Sequence, residues 1–320
     1  MRHNSVSDLE KGSLDNMPWH PFGLMLTAAS TAEGAVRSAN LDWTVVVGQG
    51  VIGAGQRAPL IREDLRQNGA NAKIAEVGPD YKPIQNLDLF AFFDPIVKAG
   101  AAVYDSIGSV GNGKWMWMLA LMKGKIEITP GDSVAQFILL AYKHGTSGPP
   151  TMTCKPVRLA GKNTLRDELL YPLIRVEITP EGRTKLEDPA QTAIQKIAHH
   201  FDAVADAFRA MLRIEMDRDR LRSYLESVFP KARASGRGSK YRDPADRERA
   251  IEECTRLFVD GRGNDIPAAR RTLWAAYSAI TEYVDYYETR LEDPQRLQEI
   301  WGSPLKTYAM VKARKLVRKL

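Results

Sequence analysis

The sequence predicts an α+β fold, with an antiparallel β-sheet and packed helices in the N-terminal half and a helical C-terminal half. Up to about residue 179, short apolar or β-branched runs are separated by Asn/Gly turn signals, as in hairpins. After Pro189 the apolar residues recur at alternating spacings of three and four, as in amphipathic helices. The 320 residues therefore divide into a sheet-and-helix core domain, 17–186, and a helical region, 187–320.

The N-terminal part reads as helix, strand and hairpin. Thr31–Asn40 is a short helix that Ser30 or Thr31 caps, and the β-branched run Asp42–Ile52 is a strand. Two further segments flank the turn signal Asn68-Gly69 and form a hairpin. They are Pro59–Arg66 and Ala72–Gly78.

The next segment predicts the centre of the sheet. Asn86–Ala99 is a helix with Asn86 as its cap, and Ala102–Val110 and Lys114–Met122 form a second hairpin around Gly111-Asn112-Gly113. The strand Lys114–Met122 is apolar on both faces, so it lies centrally and is covered on both sides. Three more strands follow, at Val134–Lys143, Thr151–Val157 and Leu173–Thr179.

The C-terminal half predicts helices around a basic, flexible loop at 230–244. A seam from Ile194 to Met211 packs on a partner helix of another subunit or inside its own subunit, and the second arrangement is the more common. Further helices are Ala245–Phe258, Ala268–Arg290 and Pro304–Leu320.

Composition and charge limit the classes of function. No apolar run reaches the roughly 18 residues of a membrane span, and the polar N-terminus is no secretory signal, so we expect a cytoplasmic protein. The net charge is +6, and it is concentrated in two acid-free clusters. This favours a polyanionic partner, although a solubilising tail and a linker would look the same. The clusters are Lys231, Arg233, Arg237, Lys240 and Arg242, and Lys306, Lys312, Arg314, Lys315, Arg318 and Lys319.

The sequence offers little evidence for a catalytic or cofactor-binding site. Gly48-Gln49-Gly50-Val51-Ile52-Gly53 matches a dinucleotide fingerprint, but Pro59 interrupts the helix that must follow it, so a bulged strand end is the better interpretation. The sequence contains no H-x-x-x-H, C-x-x-C, Walker motif or nucleophile elbow. We therefore assign no catalytic residue, metal or cofactor.

A glycine-flanked loop followed by basic residues is the candidate polyanion site. The loop Lys143–Gly148 lets a backbone approach phosphates, and Trp19 and Tyr81 offer rings for base stacking. A solvated sheet edge with core aromatics is the alternative. The candidate nucleic-acid-binding residues are Lys82, Lys143, Lys155, Arg158, Lys162, Asn163, Arg237, Lys240, Arg242, Lys312, Arg314 and Lys315.

Four motifs in this order resemble a known family. They are Trp19-His20 with Gly23, Tyr81-Lys82-Pro83-Ile84-Gln85-Asn86, Lys155-Pro156-Val157-Arg158 with Asn163-Thr164-Leu165, and Trp274-Ala275-Ala276-Tyr277 with Thr281-Glu282-Tyr283. The order is similar to that in the phage- and plasmid-related domain-of-unknown-function family nine-three-two. The resemblance implies a mobile genetic element in a bacterial host and supplies no reaction. The family's cysteine before Asn-Thr-Leu is absent here, where Leu159–Lys162 stand.

A weaker, fold-level similarity concerns single-strand annealing proteins of the Redβ/RecT and eukaryotic Rad kind. It implies single-stranded DNA as partner, a homo-oligomeric ring or filament, and no nucleotide cofactor. An exonuclease or a single-strand-binding protein would be a further partner. We expect a single-stranded nucleic-acid-binding protein that anneals strands in recombination. The alternatives are a metal-dependent nuclease and a regulatory or anti-host-defence protein that acts through protein contacts.

Overall fold

The computed structural model describes residues 14–27, 29–49, 57–66, 72–78, 80–146, 148–166, 174–179, 181–229, 231, 243–288 and 293–319. Strands dominate these residues up to 186, and helices dominate from residue 190. The α+β class with an antiparallel sheet in the N-terminal half is confirmed. In chain order the strands are β1 (Leu24–Met25), β2 (Val45–Val47), β3 (Ala58–Arg62), β4 (Lys73–Val77), β5 (Ala102–Val110), β6 (Trp115–Thr129), β7 (Asp132–Lys143), β8 (Thr151–Arg158), β9 (Asn163–Thr164), β10 (Val176–Ile178) and β11 (Thr184–Leu186).

The helices pack on the sheet and on one another. They are α1 (Ala32–Ser38), α2 (Glu63–Arg66), α3 (Asp94–Lys98), α4 (Ala190–Leu212), α5 (Arg218–Val228), α6 (Pro244–Asp260), α7 (Leu273–Glu282), α8 (Asp293–Gly302) and α9 (Pro304–Val317). Among the described residues, no helix combines the length and the hydropathy that crossing a bilayer requires.

One sheet, called here the main sheet, organises the described residues. Its strand order is β1-β5-β6-β7-β8-β9, so from β5 onward each strand pairs with the next in sequence. The predicted hairpin between β5 and β6 is confirmed, with Val110 opposite Trp115. Its turn residue Gly113 has φ 86°, and a Cβ there would lie 2.6 Å from the Trp43 ring. Only glycine fits both constraints.

Strand β6 is covered on both faces, as its sequence predicts. Met116 and Met118 point into a core that includes Val36 and Phe93. Trp117 and Leu119 point into a second core with Trp19. The alternation follows from the two-residue period of a strand, and it makes β6 the centre of the molecule.

The predicted helix Asn86–Ala99 is wrong in its first half. The chain there forms two short 3-10 turns, and the α-helix α3 begins only at Asp94, with Pro95 in its first turn. The Asn86 side chain does not cap a helix. It donates to the carbonyl oxygen of Leu41 at 2.7 Å, so a tertiary contact replaces the predicted local one.

The predicted hairpin around Asn68-Gly69 is confirmed in its pairing. Strands β3 and β4 are antiparallel, with Leu60 opposite Ala75, and β2 joins them on the other side of β3. Residues Glu63–Arg66, predicted as strand, form α2 instead. The turn Asn68-Gly69, the glycine motif from Gly50 to Gly53 and most of the loop 230–244 lie outside the described residues.

The helical seam packs inside its own chain. Ala193, Ile197 and Phe201 of α4 contribute to the core that also contains Met116 and Met118 of β6. Phe208 and Met211, further along the same helix, contribute to a helical core with α5, α6, α7 and α9. The predicted helices after residue 244 are present as α6, α7 and α9, whereas α5 and α8 were not predicted.

Candidate nucleic-acid interface

Arg158 is buried in a structural ion pair. Its side chain and that of Asp132 are both 0% exposed, with Nη2 2.6 Å from Oδ2. The guanidinium also donates to Asn264 Oδ1 at 2.7 Å and to the Gly263 carbonyl oxygen at 2.7 Å. The indole Nε1 of Trp274 donates to the same Asp132 Oδ2 at 2.8 Å. The prediction that Arg158 binds phosphate is therefore corrected, because its donors already hold β8 to the helices.

A second buried network lies beside the first. Asp285, just after α7, accepts a hydrogen bond from the Thr164 amide at 2.6 Å and pairs with Lys306 Nζ. Both charged side chains are buried. Burial raises the pKa of Asp285 and lowers the pKa of Lys306, because each charged form loses its hydration. Lys306 therefore does not belong to an exposed basic tail.

Three more predicted contacts are wrong for the same reason. Lys155 is 4% exposed, and its Nζ donates to the Trp301 carbonyl oxygen at 2.6 Å. Asn163 is buried and donates to Thr281 Oγ1. Trp19 is fully buried, with its ring centroid 5.0 Å from that of Trp301. These groups join the main sheet to the helices and present no surface to a nucleic acid.

The glycine-flanked loop is also held by internal contacts. Gly145 has φ 83°, and a Cβ there would lie 2.4 Å from the Ala75 side chain, so the glycine allows packing on β4. The Tyr81 hydroxyl lies 3.0 Å from that of Tyr142, and Lys143 Nζ lies 4.9 Å from the centre of the Trp115 ring. Lys82 is exposed. Nucleic-acid binding by Tyr81, Lys82 and Lys143 stays a prediction.

The predicted segment 143–163 does not form one site. Lys143 ends β7, whereas Asp132, the partner of Arg158, begins it. Eleven residues of extended strand separate their Cα atoms by roughly 36 Å. Lys162 lies at the Arg158 end, where its Nζ donates to the Asp15 carbonyl oxygen at 2.7 Å. Lys143 and Arg158 therefore lie at opposite ends of β7 and do not belong to one cluster.

A basic groove between α5 and α9 remains. It is a cleft of about 620 Å³. Lys312, Lys315 and Lys319 are spaced by three and four residues, so they share one face of α9 and its final turn. Arg220 lines the groove from the facing helix, α5. Asp219 is the acidic residue among the described residues that line the groove, so positive charge is in excess.

The floor of the groove is apolar. Ile214 and Met216 lie before α5, and Leu316 lies on α9 between two of the lysines. Ser223 and Ser227 add hydroxyl groups from α5. A surface with a cationic rim and an apolar floor can take a phosphate chain together with nucleobases.

Of the groove's four basic residues, two were predicted as candidate binding residues, and Lys319 was named only in the basic C-terminal cluster. Lys312 and Lys315 were among the candidates, whereas Arg220 was not. The sequence carries a signal for α5, because Asp217 is a residue type that favours helix N-caps. In the structure it caps α5 by accepting a hydrogen bond from the Arg220 amide at 2.8 Å. Its buried residues follow at helical spacing. They are Leu221, Tyr224, Leu225 and Val228.

Four predicted basic residues remain, namely Arg314, Arg237, Lys240 and Arg242. Arg314 is half-buried and lies two residues from Lys312, so it points away from the groove-facing row. Arg237, Lys240 and Arg242 lie outside the described residues. In the part of the chain that the structure describes, no group of three or more His, Cys, Asp or Glu residues could hold a metal ion.

Together these features define an α+β protein with an antiparallel sheet, helices packed against it and a basic groove on its helical side. The model of the family described as Domain of unknown function (DUF932) matches residues 73–301. The match covers most of the chain, which therefore belongs to this family, as its motifs indicate. No curated protein and no solved structure matches the chain. The similarity to annealing proteins thus has no structural neighbour to support it. Lys312, Lys315 and Lys319 follow the matched residues.

Proposed function

We propose that this protein binds single-stranded nucleic acid for a phage, plasmid or integrative element and promotes annealing of DNA strands without nucleotide hydrolysis. The observation that carries the proposal is the groove between α5 and α9. Three lysines on one helix face and Arg220 opposite them supply cations at the spacing of helical turns. Such a groove tracks a phosphate backbone without reading its sequence.

The annealing activity and the mobile-element setting have a separate basis. The family has no known function, and the setting follows from the resemblance of the motifs. Annealing requires that a protein hold strands by their backbone and leave base edges accessible, and a groove with a basic rim suits that task. The cytoplasm of a bacterial host and a homo-oligomeric ring or filament belong to the same proposal.

Salt dependence of binding tests the groove directly. If Lys312, Lys315, Lys319 and Arg220 each contact one phosphate, the slope of log affinity against log salt should be about −2.8 for a single strand. The triple variant Lys312→Glu, Lys315→Glu and Lys319→Glu should bind at least tenfold more weakly, with a slope shallower by about 2. Fluorescence anisotropy with an oligo-dT probe measures both quantities.

The matched control places the same charge change elsewhere. Lys98, Lys123 and Lys125 are exposed and lie on α3 and β6, so their reversal to Glu should alter binding much less. Equal losses in the two triple variants would reduce the effect to net charge and contradict a groove-specific site. Annealing of complementary oligonucleotides, followed by energy transfer, should be faster with the parent than with the groove variant.

The rival functions give different results in the same assays. Cleavage of the oligonucleotide with Mg²⁺ would favour the metal-dependent nuclease. Absence of any nucleic-acid binding by the folded parent would favour a protein that acts through protein contacts.

A further inference from the structure

Tyr308 is an exposed aromatic residue in the same row as the groove lysines. Its side chain is 53% exposed, and it lies one turn before Lys312 on α9. At 100° per residue, Tyr308, Lys312, Lys315 and Lys319 lie within an arc of about 60°. The row is about 16 Å long at 1.5 Å per residue. One helix face therefore presents an aromatic ring followed by three cations.

The exposure of this ring contrasts with the treatment of other large aromatics. Trp19, Trp274 and Tyr277 are fully buried. The neighbours of Tyr308 on the opposite side of α9, Ala309 and Met310, are buried as well. The core thus holds α9 firmly and leaves Tyr308 outside it. A rigidly mounted, solvent-facing ring next to cations is the arrangement that proteins use to stack unpaired bases.

We infer that Tyr308 stacks on an unpaired base of a strand whose phosphates lie along Lys312, Lys315 and Lys319. This inference rests on the proposed function and adds the physical reason for which the protein prefers single strands to duplexes. In a duplex the base faces are already stacked on each other, so only a single strand can offer a face to the ring. Tyr308 thereby selects single-stranded over double-stranded nucleic acid, while the lysines bind either form through phosphate.

An abasic oligonucleotide separates stacking from charge. The probes are oligo-dT and an oligomer of the same length and charge without bases. Tyr308→Ala should weaken oligo-dT binding at least fivefold, since losing one stacked base costs roughly five- to 150-fold. The same variant should bind the abasic oligomer as the parent does, with an unchanged salt slope. Tyr308→Phe keeps the ring and should bind oligo-dT like the parent.

Two comparisons make the test decisive. Tyr287 is 39% exposed and follows α7, away from the groove, so Tyr287→Ala is the control and should bind both probes like the parent. Tyr308→Ala should also narrow the parent's preference for single strands over duplex. Circular dichroism checks that each variant is folded.

The remaining outcomes contradict the stacking role of Tyr308, the nucleic-acid partner of the row, or the proposed function itself. If folded Tyr308→Ala binds oligo-dT like the parent, or loses both probes equally, the stacking role is wrong although the groove stands. If the parent prefers anionic lipid vesicles and an excess of oligo-dT does not displace them, the row serves a membrane surface and the inference fails. If the parent binds neither probe, the proposed function itself fails.

Discussion

At the scale of single residues, the polar groups of this protein divide into buried structural pairs and exposed basic groups. Arg158 and Asp132 illustrate the first kind, because each of the three guanidinium nitrogens of Arg158 already donates to a protein oxygen. Lys315 and Lys319 illustrate the second, because they are exposed at the groove. In the sequence, Arg158 and the two lysines are all basic residues without a distinguishing motif. Only their burial in the folded protein separates the two kinds.

Arg158→Ala should destabilise the fold strongly. It leaves the Asp132 carboxylate buried without its charge partner, and breaking a buried pair in this way costs roughly 3–5 kcal/mol. Denaturant unfolding measures the loss. Arg222→Ala is the control, because Arg222 pairs with Glu248 at an exposed position and its removal should change the free energy of unfolding little. A small effect of Arg158→Ala would show that the pair is not buried.

His144 should make stability depend on pH. Its Nε2 lies 2.9 Å from Asn86 Oδ1, and the Asn86 amide nitrogen donates elsewhere, so Nε2 carries the proton. Burial lowers the pKa of His144 from 6.5 to about 4. Between these values the unfolded chain binds a proton that the folded chain does not. The free energy of unfolding should therefore fall by about 3 kcal/mol as the pH drops from 6.5 to 4.

The variant His144→Gln isolates this contribution. Its stability should vary less with pH over that range than the parent's, in urea titrations at each pH. Asp105, whose pKa burial raises to about 6, acts in the opposite direction but is common to both proteins. His199 is exposed, so His199→Gln is the matched control for removing an imidazole outside the core. Identical pH profiles for all three proteins would contradict a buried neutral His144.

At the scale of elements, α9 has two separate roles along its length. Its first half packs in the core through Leu305, Ala309 and Met310, and Lys306 pairs there with Asp285, while Tyr308 on the opposite side is exposed. Its second half carries the groove lysines on the surface. The helix thus connects the structural network around Thr164 to the proposed binding surface.

Two truncations should separate these roles. Ending the chain after Ser303 removes the core half and leaves Asp285 buried without Lys306, so we expect loss of folding. Ending it after Arg314 removes Lys315 and Lys319 together with the partly buried Leu316, so we expect a folded protein with weaker oligonucleotide binding. Circular dichroism and anisotropy distinguish the cases. A folded protein that lacks all of α9 would show that the Lys306 contact is dispensable.

At the scale of the whole molecule, the sheet and the helices share their cores. Helix α4 contributes to the core under the main sheet and to the helical core, and Arg158 on β8 binds Asn264 between α6 and α7. We therefore expect the regions 17–186 and 187–320 to unfold together. Tryptophan fluorescence and circular dichroism should report the same denaturant midpoint. Two separated transitions would show that the predicted boundary divides two independent domains.

The sequence by itself determined the elements whose signal is local. The hairpin of β5 and β6 follows from its glycine turn, the central position of β6 from its two apolar faces, and α4 from its three-and-four spacing. The family membership also followed from the order of short motifs. For the hairpin, β6 and α4 the deciding pattern lies within a few neighbouring residues, and each family motif is equally short.

Only the tertiary structure decided which polar residues are available for function. Arg158 lies next to Asp132 and Asn264, which are 26 and 106 residues away in the chain, and Lys306 meets Thr164 across 142 residues. The same residue types form buried ion pairs and phosphate-binding sites, so residue type alone does not distinguish them. The cost of removing a charge from water depends on partners that the fold brings together. The groove arose in the same way, since α5 and α9 become neighbours only when the helical core forms.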